Sequence, residues 1–269
     1  MDTGRLTVPG AELYYEVRGS GPVLLTILGG GSDAGMAGPL AEALPGRHTV
    51  VTYDRRGFTR SPLAGPPSEQ RVEEHAGDAL RLLDALGAEQ ADVFATHSGA
   101  LIALDLLARH PGRVRRLVAH EPPAFELLPD AARWRALVEE TVEICERAGL
   151  GPAARRLGEE TGVMPPAGPT PGLPAWLRDM LTRMTANLET SFRYEQRSFC
   201  RYVPAVPPSA PLVLACGVET QGLMRACTQA VAGRLGVGVV ELPGDYVGYL
   251  RLPAEFGTAL HALLSRREG

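Results

Sequence analysis

His97 and Ser98 stand side by side in Ala95-Thr96-His97-Ser98-Gly99, where the strand-like run Asp92-Val93-Phe94 gives way to an apolar helical pattern. An imidazole and a hydroxyl at such a junction could serve acid–base or nucleophilic chemistry. The positive end of the helix dipole disfavours an imidazolium, so the ring should stay neutral and able to take a proton near pH 7. Imidazole is a poor route to an acyl-enzyme, because an acyl-imidazole hydrolyses readily. A general acid–base role therefore suits His97 better than a nucleophilic one.

Other chemistries find less support. No group of His, Cys and carboxylates has metal-ligand spacing, so no metal is expected. No GxGxxG run opens a helix after the first strand, so neither a nicotinamide nor a flavin cofactor is expected. Cys145, Cys200, Cys216 and Cys227 form no CxxC pair, and Cys216 sits in an apolar strand pattern as a small core residue. A net charge of -4 gives no polyanion signal, which argues against a nucleic-acid partner. The chain contains no lysine, so its long basic side chains are all arginine. No signal peptide is read at Met1-Asp2-Thr3-Gly4-Arg5, and no apolar run is long enough to span a bilayer. The expectation is a cytoplasmic protein, monomeric or homodimeric, that meets no membrane.

The elements that must hold these groups follow from periodicity. Alternation predicts a strand over 12–17, a continuous apolar run predicts a buried strand over 23–27, and another strand is predicted over 114–119. Further strands are predicted over 49–53 and 92–95. Helical stripes cover 36–44, 72–86 and 99–109, the last ended by His110-Pro111-Gly112. Such alternation calls for a parallel sheet with helices on both faces. It breaks at Glu121-Pro122-Pro123. Only helices are predicted over 129–202, interrupted by the proline-rich stretch 165–174. Strands resume over 212–215 and 237–242, and a final helix covers 253–265.

In this order, the glycine run Gly29-Gly30-Gly31, the turn Asp54-Arg55-Arg56-Gly57, the junction at 95–99 and the helix end Ala108-Arg109-His110-Pro111 resemble the α/β-hydrolase superfamily, across essentially the whole chain. The resemblance is to small actinobacterial-type hydrolases with a helical cap. It implies an α/β-hydrolase fold: a mostly parallel sheet with helices on both faces and an inserted helical cap. The core would be residues 1–122 and 206–269, and the cap 123–205.

The family elbow, G-x-S-x-G, maps onto Ala95-Thr96-His97-Ser98-Gly99 with small residues at both ends and His97 at the apex. A rival register puts Ser98 at the apex, but it sets Thr96 where a small residue is wanted. The turn Pro243-Gly244-Asp245-Tyr246 puts Tyr246 in the place of the family's histidine. Glu219 is the candidate acid, one position early, with Thr220 in the usual slot. The resemblance also implies oxyanion donors at the backbone N–H groups of Gly30 and Ser98. Glu121 either orients a site group or caps its strand, and Glu195 either faces the pocket or pairs with an arginine at the surface. Trp134, Trp176 and Tyr194 are the expected substrate-binding aromatics. His48 and His75 read as surface or helix-face residues.

A serine and a histidine replaced together point away from ordinary ester hydrolysis. The leading expectation is a cofactor-free, non-hydrolytic enzyme of secondary metabolism, using His97 and Tyr246 on a small hydrophobic carbonyl compound by isomerase, cyclase or lyase chemistry. One alternative is a hydrolase using Ser98 or a water activated by His97. The other is a catalytically silent ligand-binding homologue.

Overall fold

The computed structural model describes residues 1–44, 48–162, 174–207 and 209–266. Alternating apolar side chains on its strands decide the architecture. The strands are β1 (Asp2–Val8), β2 (Ala11–Gly19), β3 (Val23–Ile27), β4 (Thr49–Tyr53), β5 (Ala91–Thr96), β6 (Val114–His120), β7 (Leu212–Gly217) and β8 (Val239–Leu242). They form one sheet in the order β1-β2-β4-β3-β5-β6-β7-β8. β1 pairs with β2, and β2 with β4, antiparallel, and the remaining pairs are parallel.

Leu25, Ile27, Val93, Ala95, Leu117 and Ala119 point to one face, against α2 (Val72–Ala85) and α3 (Ser98–Arg109). Leu24, Phe94, Val118 and Ala215 point to the other, toward α1 (Gly38–Ala43) and α10 (Pro253–Leu264). The expected α/β-hydrolase sheet, mostly parallel with helices on both faces, is therefore present.

β1 has no counterpart in the sequence reading. Its residues are mostly exposed, and it is held as an edge strand by its ladder with β2 and not by burial. β8 starts at Val239, two residues later than expected.

Between β6 and β7 the chain forms α4 (Ala131–Ala148), α5 (Leu150–Thr161), α6 (Ala175–Tyr194) and α7 (Gln196–Cys200). These helices build apolar clusters of their own, one around Trp134, Leu137 and Val138 and another around Cys145, Ala153 and Phe192. The expected proline-rich loop over 165–174 lies, apart from Pro174, outside the described residues. After β7 come α8 (Gly222–Leu235), β8, α9 (Gly248–Arg251) and α10. Among the described residues, no helix is long and apolar enough to cross a membrane, and no three His, Cys, Asp or Glu side chains could hold a metal ion together.

Charges tie the turn after β4 to the sheet. Arg60 donates twice to Asp54, at 2.7 Å each, and Asp54 also accepts the Ala34 N–H. Arg56 makes a bidentate pair with the buried Asp78 of α2 at 2.7 Å. That fork geometry suits guanidinium and would not survive replacement by lysine.

Two features of the frame are testable. A Cβ on Gly99 would lie 2.2 Å from the Ile27 carbonyl oxygen, so α3 can meet β3 there only as glycine. Gly99→Ala should lower the unfolding free energy in a denaturant titration by about 2 kcal/mol, after the ~1 kcal/mol that alanine gains in a helix. His120 is fully buried between the rings of Phe94 and Phe256, and burial lowers its pKa to about 3. The unfolded chain takes up that proton near pH 6.5 and the folded one does not, so the group's effect favours unfolding as pH falls below 6.5. His120→Phe should therefore lose roughly 3 kcal/mol less stability than the wild type between pH 7 and 4, read from unfolding curves at each pH.

Candidate active site

β5 ends at Thr96 and α3 begins at Ser98, leaving His97 as the single hinge residue with φ 53° and ψ −131°. A side chain with a Cβ rarely adopts this left-handed conformation, which costs about 1–3 kcal/mol unless the surroundings enforce it. Here they do. The His97 N–H donates to the His120 carbonyl at 2.9 Å, and its carbonyl accepts from Ala100 N–H at 2.8 Å. Gly29 packs so closely on the turn that a Cβ there would lie 2.6 Å from the Ser98 nitrogen.

The turn lifts the His97 side chain onto the wall of a cavity of about 690 Å³. The cavity lies between the C-terminal ends of β3 and β5 and the helices α5, α6 and α7. Its walls are mainly apolar, with Phe125, Met184, Leu188, Phe192 and Phe199 among them. Burial first, and the Arg55 charge second, lower the His97 pKa to about 4. The ring is therefore neutral at pH 7, for a stronger reason than the helix dipole alone. Its Nδ1 is buried with no hydrogen-bond partner among the described residues, so none of their carboxylates orients the ring through that nitrogen.

Ser98 is 8% exposed and also lines the cavity. Its Oγ accepts the Gly30 N–H at 3.0 Å and is approached by Arg55 Nη1 at 3.5 Å. Arg55 Nη2 donates to the Gly30 carbonyl at 2.7 Å and to Glu195 Oε2 at 3.0 Å. Arg55 and Glu195 are both almost fully buried. Burial pushes the Glu195 carboxyl up, and the Arg55 guanidinium pulls it back.

Tyr246 also lines the cavity, its ring 6.1 Å from that of His97, but no hydrogen bond joins the two side chains. Its carbonyl accepts from Thr96 Oγ1 at 3.2 Å. Burial and the neighbouring Asp245 raise its phenol pKa, so it stays protonated at neutral pH.

The structure thus brings His97, Ser98, Gly30 and Tyr246 to one cavity. Glu219 is not with them. Its side chain is exposed because its backbone N–H, bound to the Gly244 carbonyl, fixes the turn with that residue outward. Thr220 points inward instead and donates to Glu121 Oε1 at 2.6 Å. Glu121, just after β6, is the other non-glycine residue with positive φ (52°) among those described, and its carboxylate also accepts the Gly217 N–H at 2.8 Å. The buried acid beside this turn is therefore Glu121, supplied by β6.

Trp134, Trp176 and Tyr194 do not line the cavity. Trp134 stacks on Phe125 and donates Nε1–H to Asp130, inside the α4 cluster. Trp176, in the first turn of α6, is 67% exposed. Tyr194 lies where α6 ends, its carbonyl accepting the Gln70 N–H. His75 is not a surface residue: it is fully buried, with Nε2 3.4 Å from Glu195 Oε1. His75 lies on the buried stripe of α2, three residues after Val72 and four before Ala79, so the helix-face alternative agrees with the structure and only its neighbour Glu195 was hidden. The role of Arg55 was hidden too, because its partner lies 140 residues away.

A family model described as "alpha/beta hydrolase fold" matches residues 22–145. The "Uncharacterized hydrolase YraK" of Bacillus subtilis is 34% identical over 279 aligned residues, spanning 100% of this chain and 98% of that protein. A "Putative carbamate hydrolase RutD" of Azorhizobium caulinodans is 43% identical over 108 residues, 40% of each chain. Among solved structures, a hydrolase from Pseudomonas aeruginosa superposes with a TM-score of 0.70 at 21% identity, covering 98% of this chain and 99% of that one. The enol-lactonase of Burkholderia xenovorans LB400 superposes with a TM-score of 0.68 at 22% identity, covering 98% and 100%. These two structural likenesses speak for the fold alone. The relatives are named as hydrolases, which overturns the expectation of a non-hydrolytic isomerase, cyclase or lyase. That expectation read the family's serine and histidine as replaced and took this to exclude hydrolysis, although a base, an oxyanion site and water suffice for it. With a full-length relative at 34% identity and the matching sheet, the chain belongs to the α/β-hydrolase family.

Proposed function

We propose that the protein is a hydrolase acting on an ester or related acyl compound with an apolar body, and that His97 activates the attacking water. The observation that carries this reading is the left-handed turn that holds the neutral imidazole on the cavity wall, next to the first N–H of α3. In this reading His97 stands where the family has its serine, and Tyr246 where it has its histidine. Residues 123–205 act as a cap over the core formed by 1–122 and 206–269, and their apolar side chains receive the small hydrophobic substrate. The four cysteines are free and buried, as suits a reducing cytoplasm.

Water attacks the carbonyl carbon and its proton passes to His97 Nε2. The carbonyl oxygen becomes an oxyanion facing the Ser98 N–H. Collapse of the tetrahedral species expels the alcohol oxygen, which takes the proton back from the imidazolium. The sum is ester plus water giving acid plus alcohol. Ser98 as nucleophile has less support, because among the described residues no side-chain base accepts a hydrogen bond from its hydroxyl.

Two outcomes are expected with p-nitrophenyl butyrate. His97→Ala should lower kcat/KM by roughly 10²–10⁴-fold. Equal turnover by the variant would remove His97 from the chemistry. In the wild type, kcat/KM should be flat from neutral pH downward and fall only as pH drops through about 4, since protonation of His97 removes the base. A pH-rate series with its acid limb near 6.5 would assign the base to another group.

A further inference from the structure

Gly30 N–H is the donor that the loop after β3 would aim at a substrate oxyanion, yet it is spent on Ser98 Oγ at 3.0 Å. The donor capacity of that loop reaches the cavity only if the serine passes it on. We propose that the Ser98 hydroxyl is itself an oxyanion donor: it accepts from Gly30 N–H, with Arg55 as positioning residue, and donates its O–H in a hydrogen bond to the substrate carbonyl oxygen, keeping the proton. The inference rests on the hydrolase reading above and names a further catalytic group within it.

A serine hydroxyl has two acceptor sites and one proton. Gly30 N–H fills one acceptor site, and Arg55 Nη1 stands at the other at the long distance of 3.5 Å. Both neighbours are donors, so what remains to offer is the O–H. Among the described residues no acceptor takes that proton, and Ser98 lines the cavity, where a substrate oxygen can. Donors at the oxygen polarise the O–H and strengthen it as a donor in turn. They also engage the lone pairs that a nucleophile would need.

Arg55 can hold this arrangement because it is itself fixed from several sides. It donates to the Gly30 carbonyl and to Glu195, and its guanidinium lies 4.7 Å from the centre of the Phe58 ring. It therefore clamps the peptide on both sides of the Gly30 α-carbon: the carbonyl directly, and the N–H through the hydroxyl that both approach. The Ser98 N–H and O–H would then face the oxyanion from one residue, along the axis of α3.

The test uses the full-length protein with Ser98→Ala, Arg55→Lys and the double variant. With p-nitrophenyl butyrate, Ser98→Ala should lose roughly 10²-fold in kcat with KM within about twofold. Lysine cannot reach Gly30, Ser98 and Glu195 together, so Arg55→Lys should lower kcat as well. In the Ser98→Ala background it should lower kcat by a clearly smaller factor than in the wild type, whereas a merely structural arginine would lower the rate by the same factor in both backgrounds. If Arg55→Lys does not fold, Ser98→Ala alone decides. A kcat within twofold of wild type in Ser98→Ala would overturn the proposal. So would labelling of Ser98 by a fluorophosphonate, which would make it the nucleophile. Binding of 1,1,1-trifluoro-2-octanone, whose hydrate carries the tetrahedral oxygens of the water adduct, gives a readout independent of turnover. Ser98→Ala should bind it at least tenfold more weakly by calorimetry, and equal affinity would sink the donor role. Absent ester turnover in the wild type would count against the hydrolase reading, while the ketone titration still decides Ser98.

Discussion

The left-handed turn at His97 is held by its neighbours and not by its own preference. A residue with a Cβ at φ 53° stays there because the β6 carbonyl of His120 fixes the amide before it and the first turn of α3 fixes the carbonyl after it. Gly29 and Gly99 let the loop after β3 and the start of α3 approach closely enough to close the turn. Strain of this kind persists only where the surroundings over-determine it. In return, an imidazole is lifted clear of the sheet edge into the cavity, with the free end of a helix beside it. The order β4-β3-β5-β6 at the sheet centre exists in the same sense: it brings the three chain segments that hold this turn together.

A second constraint joins the inserted helices to the sheet. Arg55 leaves the end of β4, and Glu195 sits where α6 passes into α7, yet the two meet in a buried ion pair at 3.0 Å. Removing one partner of such a pair typically costs about 3–5 kcal/mol, because the other charge stays buried. The pair therefore fixes where α6 and α7 lie relative to the elbow. The same guanidinium binds Gly30 and supplies the positive charge that helps keep His97 neutral. The position of the loop and of α6 and α7 thus share one side chain, while the neutral state of the base owes most to burial.

The acid side of the site follows a different logic. Glu121 also adopts a positive φ, at the end of β6, and its carboxylate caps the turn after β7 through Gly217 and Thr220. Burial holds its pKa above the ordinary carboxylate value, with Thr220 and Gly217 opposing that rise. It braces the turn after β7, and it makes no direct hydrogen bond to the His97 or Tyr246 side chain.

Much of this frame is local and was legible in the chain. Apolar runs place the central strands, because consecutive residues such as Leu24 and Leu25 are both buried, on opposite faces of the sheet. Ala95 and Gly99 mark the tight turn, since only small residues fit where strand, loop and helix touch. β1 was not legible, because an exposed edge strand is held by backbone pairing, which leaves no apolar period. Nor could the sequence choose between neighbours such as Glu219 and Thr220, or say which aromatics face the cavity. Trp134 and Phe192 both lie on amphipathic helices, and only the packing of those helices turns the first into a cluster of its own and the second toward the cavity. The Arg55–Glu195 pair and the Gly30–Ser98 hydrogen bond join residues 140 and 68 positions apart. Periodicity reports which face of an element is buried. It carries no record of which distant polar group will be buried beside it, and that pairing is fixed only when the elements pack.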